Sequence, residues 1–240
     1  ILKCSKNPFL SLLIFIAFDY YAFIFSGMRQ GIAYALCILS FLCIQNKKPV
    51  KFILLVLLAA QFHKSAYIFL PAYWIANIKM NRYTLAGLGL VFIVAVIFKN
   101  KFYDLVENGL YSTVDHAYEA KNTGAFTLLV RQLAIAGVML FFAGKNSSNG
   151  INYNRFTMLV CTGAILTVFA TIGNNAQRIA NYYCIFLIFG IPELLDCIND
   201  CVVKKIMSFA VIVGVLAMFV YAMIADGYEI MPYSSILFGK

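Results

Sequence analysis

The chain has 240 residues, of which 62% are apolar and 12% charged; 19 basic against 10 acidic side chains give a formal net charge of +9. A soluble domain carries about 25% charged residues, and so few charges cannot cover the surface of one this long. Disordered, coiled-coil and nucleic-acid-binding basic chains are excluded on the same ground. A mean hydropathy of +0.84 instead describes a polytopic membrane protein, whose Lys and Arg report orientation in the bilayer.

The apolar runs are continuous, as in Phe52–Ala60 and Val211–Ala222, where barrel strands would alternate apolar and polar residues. The fold class is therefore all-α, a polytopic helical bundle forming one transmembrane domain over residues 1–240. In chain order the expected helices are Phe9–Phe25, Gly31–Ile44, a long stretch Phe52–Ile78, Thr84–Phe98, Gly124–Ala143, Phe156–Gly173, Tyr182–Leu195 and Ile206–Ala225. Between them lie the basic loops Gln45–Lys51 and Lys79–Arg82, a polar segment Lys99–Thr123, and the loops Gly144–Arg155, Asn174–Asn181 and Asp196–Lys205. Cys37, Cys43, Cys161 and Cys184 sit inside apolar runs and read as small hydrophobes. Cys197 and Cys201 have no His nearby, and no metal site is expected there.

The stretch Phe52–Ile78 decides the topology. As one helix it would span roughly 40 Å. As two shorter pieces meeting near His63 it would re-enter and leave on the side it came from, which requires protein or water around the break. Each arrangement puts 11 of the 19 cations on the cytoplasmic side. For the hairpin these are Lys3, Lys6, Lys47, Lys48, Lys51, Lys79, Arg82, Lys145, Arg155, Lys204 and Lys205. Short basic loops orient best, and residues 99–123 also carry Asp104, Glu107, Asp115 and Glu119. The hairpin is therefore expected, with 99–123 as an extracytoplasmic loop and Arg29, His63 and Arg178 on that same side.

Ionisable residues at membrane depth are functional candidates. Arg29 and Gln30 fall between the first two helices. Arg29 is either a snorkelling anchor or a fork aimed at phosphate. His63 with Lys64 interrupts an apolar run, as a residue bonded to a carbonyl or as a general base. In Asn174–Tyr182, a helical Arg178, Asn181 and Tyr182 would share one face, next to Gln177; a solvated loop is the alternative. Asp19, in the first helix, reads either as an intramembrane proton relay or as a structural pair with Arg131. His116 and the acids around it match no ligand spacing and read as solvated loop.

The order of these features carries a resemblance. Ser26-Gly27-Met28-Arg29-Gln30-Gly31-Ile32-Ala33 resembles the S-G-x-R-Q-x-I-A signature of the EpsG family. Ala59 to Ala66 resembles its A-x-x-F-H-x-S-A, extended by Leu70-Pro71-Ala72-Tyr73, and Arg178 to Pro192 its R-x-x-x-Y…P pattern. Members are Wzy-like exopolysaccharide and O-antigen polymerases. The resemblance implies a glycosyltransferase C-like bundle in the bacterial cytoplasmic membrane that transfers a glycan from undecaprenyl pyrophosphate to a hydroxyl of the next lipid-linked repeat unit. It implies Arg29 and Arg178 near pyrophosphate and His63 near the acceptor hydroxyl, with Gln30, Lys64, Gln177, Asn181 and Tyr182 as substrate contacts. No metal or other cofactor is implied. A chain-length regulator is a further expected partner, and nucleic acid is not. The family normally carries earlier helices, and the first residue is Ile, so an N-terminal part is expected to be missing. Two alternatives remain at this stage, a flippase of lipid-linked sugars, for which paired broken helices are expected, and a membrane acyltransferase.

Overall fold

A computed structural model describes residues 4–110, 124–143, 151–172 and 174–225 of the chain. Among the described residues there is no strand. Eleven helices follow one another: α1 (Pro8–Ala17), α2 (Tyr20–Ser26), α3 (Met28–Gln45), α4 (Pro49–Phe62), α5 (Ala72–Ala76), α6 (Arg82–Leu110), α7 (Ala125–Ala143), α8 (Ile151–Leu166), α9 (Asn174–Cys184), α10 (Leu187–Asp196) and α11 (Cys201–Ala225). The 3-10 segments Lys64–Phe69 and Thr167–Thr171 follow α4 and α8. Among the described residues, six stretches are long and apolar enough to cross a membrane: Met28–Gln45, Arg82–Lys101, Ala125–Ala143, Ile151–Thr171, Ala176–Asp196 and Cys201–Ile224. The chain is thus an all-α, multi-pass membrane protein.

The two spans formed by α8 and α9–α10 are central, 78% and 89% buried, whereas α6 and α11 are 6% and 11% buried and face outward. The centre is aromatic. Phe41 stacks on Phe156 at 4.7 Å, Phe69 lies parallel to Phe186 at 5.5 Å, and Phe156 stacks on Phe189 at 5.7 Å. Lipid is as apolar as these rings, so it is close packing and internal hydrogen bonding that hold such helices together. Gly163 shows how close the approach is: a Cβ there would meet the Cys184 sulfur at 2.6 Å and its backbone nitrogen at 2.8 Å.

Contacting pairs fix which helix ends lie together. Gly163 faces Cys184 and Phe156 faces Phe189, so α8 runs antiparallel to α9–α10. Tyr34 faces Tyr182 and Phe41 faces Phe186, while the Ser11 hydroxyl bonds the Ile188 carbonyl at 2.6 Å and Lys6 reaches Asp196, which sets α3 parallel and α1 antiparallel to that same span. One end of the bundle therefore gathers the start of α1, the α3–α4 connection, the α5–α6 connection, the start of α8 and the α10–α11 connection. The other end gathers Asp19, the start of α3, His63, the start of α7 and the start of α9.

The stretch after Pro49 is a hairpin. A continuous helix would separate Phe52 from Tyr73 by roughly 30 Å, yet their rings are 5.5 Å apart, and Phe52 also meets Phe69 at 5.9 Å. The break is at His63, which is extended (φ −151°, ψ 117°). Pro71 then withholds an N–H and prevents helix continuation. The backbone freed by the break is satisfied internally: the Ala66 amide donates to the His63 carbonyl at 3.0 Å and the Tyr183 hydroxyl to the Ile68 carbonyl at 2.7 Å. That is the condition under which irregular backbone survives at membrane depth.

Nine cations of the expected hairpin set, Lys6, Lys47, Lys48, Lys51, Lys79, Arg82, Arg155, Lys204 and Lys205, lie at the first end; Lys3 and Lys145 fall outside the described residues. Asp196 sits between Lys6 (3.7 Å) and Lys204 (3.8 Å). Arg155, expected in a loop, is instead 8% exposed inside α8, with its Nε and an Nη on the Asn77 side-chain oxygen at 3.3 and 3.2 Å.

Further boundaries differ from the sequence expectation, and α8 and α11 begin five residues early, at Ile151 and Cys201. The first helix is broken at Phe18–Asp19, where Asp19 is left-handed (φ 62°) and its carbonyl accepts the first bond of α2 from Phe23. Asp is among the few residues that tolerate this conformation. Residues 174–181 form the first turns of α9 rather than a loop. Lys99 to Leu110 continue α6 as helix, and residues 111–123, including His116, lie outside the described residues.

Candidate functional site

At the start of α3, Gly27 allows a sharp entry and Gly31 a close crossing; a Cβ on Gly31 would meet the Ile24 side chain at 3.0 Å. This turn presents Arg29 outward and Gln30 inward: Arg29 is exposed and Gln30 is 2% exposed. Gln30 and Tyr34, four residues apart, share the inner face of α3. Both reach the main-chain carbonyl of Arg178, Tyr34 through its hydroxyl at 2.6 Å and Gln30 through Nε2 at 3.3 Å. The Arg178 guanidinium is exposed and lies 5.8 Å over the Phe23 ring.

His63 reaches the same place from the hairpin. Its Nδ1 is 2.6 Å from the Ser65 hydroxyl, which donates to the Tyr182 hydroxyl at 3.1 Å. Tyr182 stands edge-on to Tyr34 at 4.4 Å between centroids. The charge of Arg178 is within electrostatic reach of the imidazole. His63 and Arg178, far apart in sequence, thus come together at one end of the bundle, and Arg29 stands at that same end beside the Gln30 that reaches the Arg178 carbonyl. Lys64 is exposed, while Gln177 and Asn181 are partly exposed in the first turns of α9. Gln30 and Tyr182 (0% exposed) are buried behind this surface, so their hydroxyl and amide groups meet other protein groups there.

Among the described residues the only ion pairs are those of Asp196 with Lys6 and Lys204. Neither Arg29 nor Arg178 is neutralised by an acid within that set. Asp19 and Arg131 are neighbours without being an ion pair: the Arg131 guanidinium lies 4.9 Å over the Phe18 ring, within electrostatic reach of Asp19. Beside them the Tyr20 hydroxyl, Arg131 Nε and Gln132 Oε1 are buried without a hydrogen-bond partner. The seven cysteines are free thiols, and among the described residues no group of His, Cys, Asp or Glu could hold a metal ion.

What sequence reasoning missed is Ser65 and Tyr34. Ser65 was part of the F-H-x-S-A string without a role of its own, and its offset of two from His63 was the available signal. Tyr34 carried none beyond its four-residue step from Gln30.

The model of the EpsG family matches residues 1–235, nearly the whole chain. The chain belongs to the EpsG family. No curated protein and no solved structure matches it significantly. EpsG membership makes it an exopolysaccharide-polymerase-like membrane protein, and the strings that carry the resemblance are those that build the cluster: the start of α3, the hairpin break and α9.

Proposed function

We propose that this chain is a membrane-embedded polymerase that joins undecaprenyl-pyrophosphate-linked repeat units on the extracytoplasmic face of the bacterial cytoplasmic membrane. The observation that carries the reading is the meeting of His63 and the exposed Arg178 on chain segments braced against one another, with the exposed Arg29 one residue before the Gln30 that reaches the Arg178 carbonyl. In the reaction the bond between the anomeric carbon and the diphosphate oxygen breaks. The diphosphate leaves with the electron pair, and fixed guanidinium groups stabilise that charge. A new bond forms from the acceptor oxygen to the anomeric carbon, and the acceptor's proton passes to the His63 imidazole. Lys64, Gln177 and Asn181 border the cluster as contacts for phosphate or sugar hydroxyls, with Gln30 and Tyr182 as their buried support. Lipid anchors confine donor and acceptor to one plane, which lowers the entropic barrier.

The sidedness rests on charge. Nine cations gather at the end opposite the cluster, and Lys and Arg favour the cytoplasmic side. The test is the glycan ladder of strains carrying Arg29→Ala, His63→Ala or Arg178→Ala at unchanged protein abundance. Each variant is expected to leave single repeat units and no long chains; normal ladders in all three would defeat the reading.

One observation favours a transporter instead, namely a second helix break at Asp19 on the same end as His63, since many secondary transporters build sites from paired broken helices. Vesicles loaded with repeat units already on the cluster's side separate the two. A polymerase lengthens those units, whereas a transporter moves them across and leaves them single.

A further inference from the structure

We infer that Ser65 and Tyr182 are positioning residues that hold the His63 imidazole in one tautomer, with its proton on Nδ1 and its lone pair on Nε2. The inference rests on the reading of His63 as the group that takes the acceptor's proton. A hydroxyl has a single hydrogen. That of Ser65 is directed to the Tyr182 oxygen at 3.1 Å, so toward His63 the Ser65 oxygen can only accept. Across the 2.6 Å contact Nδ1 must therefore be the donor. A neutral imidazole carries one N–H, which leaves Nε2 bare.

The surroundings make this assignment durable. Ser65 is 1% and Tyr182 0% exposed, so neither meets substrate and bulk water cannot substitute for either. His63, partly exposed, stands in front of them. The extended backbone at His63 followed at once by a 3-10 turn brings Nδ1 to the hydroxyl two residues on. When the acceptor's proton arrives on Nε2 the ring becomes imidazolium, and the Nδ1–H bond to Ser65 becomes charge-assisted and stronger. The pair thus favours the charged state that forms during transfer without touching the reacting atoms. Tyr182 also abuts Tyr34, which holds the Arg178 carbonyl, so the ring and the Arg178 turn are set by one brace.

The chain contains 2 His, so a full-length His116→Gln chain in lipid nanodiscs, labelled with 15N-histidine, reports His63 alone. At a pH where the ring is neutral, the spectrum is expected to show a protonated Nδ1 and a bare Nε2. Ser65→Ala should revert it to the Nε2–H form that free imidazole prefers; Ser65→Thr, which keeps the hydroxyl, should not. Tyr182→Phe keeps the ring against Tyr34 and should give a mixture. A protonated Nε2 in the parent chain, or an unchanged spectrum in Ser65→Ala, would overturn the inference. In polymer assays on lipid-linked units, Ser65→Ala is expected to lower kcat roughly 10- to 100-fold at constant KM. A raised KM with kcat intact would overturn it as well. If the parent chain makes no polymer, the polymerase reading fails while the spectrum still decides the tautomer.

Discussion

Tyr34 donates its hydroxyl hydrogen to the main-chain carbonyl of Arg178 at 2.6 Å, and Gln30, one turn earlier on α3, reaches the same oxygen at 3.3 Å. The backbone of Arg178 is therefore fixed from below, while its guanidinium is exposed over the Phe23 ring. Tyr34→Phe removes the hydroxyl and keeps the ring contacts with Phe23 and Tyr182. It is expected to cost about 0.5–1.5 kcal/mol of stability and to shorten the polymer. Tyr34→Phe combined with Gln30→Ala should exceed the sum of the two, because both act on one atom. A ladder in the double variant identical to that of the parent would show that the Arg178 carbonyl needs no fixing.

Arg29→Lys and Arg178→Lys separate charge from shape. Lysine keeps the positive charge but loses the planar fork that grips phosphate oxygens in pairs. Polymerisation is expected to fall roughly 10- to 100-fold, equivalent to about 1.4–2.8 kcal/mol of transition-state stabilisation, and to stay above the alanine variants. Rates in membranes from the two lysine strains check this; wild-type rates would mean that charge alone suffices.

The hairpin makes a topological prediction. In a chain stripped of its 7 Cys, single cysteines at Lys47 and Asn81 should react with a membrane-impermeant thiol reagent from the same side. One at Lys64 should react from the opposite side. Labelling of Asn81→Cys together with Lys64→Cys, and apart from Lys47→Cys, would restore the single long helix.

Gly163 sets the distance between α8 and α9. Ala there would place a methyl group 2.6 Å from the Cys184 sulfur and 2.8 Å from backbone, so a main chain has to shift. Overpacking of this kind costs roughly 1–3 kcal/mol, and larger residues cost more. Gly137 and Gly214, where an added methyl meets nothing within 4 Å, should accept Ala without loss. Melting temperatures of the detergent-solubilised variants compare the three.

The helices were legible because unbroken apolar runs demand internal backbone bonding in a bilayer, and the break at His63 because a polar pair interrupts such a run. The left-handed Asp19 was not legible: its neighbours are as apolar as any helix interior, and nothing local marks the reversal. The start of α9 stood open between helix and solvated loop because Asn174–Asn181 is polar; it is helix, and tertiary contacts to Gln30 and Tyr34 support those turns. Arg155 was read as a loop cation because its partner, Asn77, is 78 residues away. In the same way Arg29, His63 and Arg178 could be listed from the sequence, but the Ser65–Tyr182 and Tyr34–Arg178 bonds that join them span 117 and 144 residues.

The fold-back at His63 also governs how the chain can be edited. A segment that enters and leaves on one side adds an even number of crossings, so it contributes nothing to the parity of the chain. Excising α4 through α5 as a unit would leave Arg82 and everything after it on the sides they already occupy. Excising any one spanning helix would turn the remainder of the protein inside out. The catalytic candidate His63 therefore sits on an apolar module whose gain or loss is topologically silent, so that such a module can change, or be exchanged between relatives, without reorienting the bundle that surrounds it.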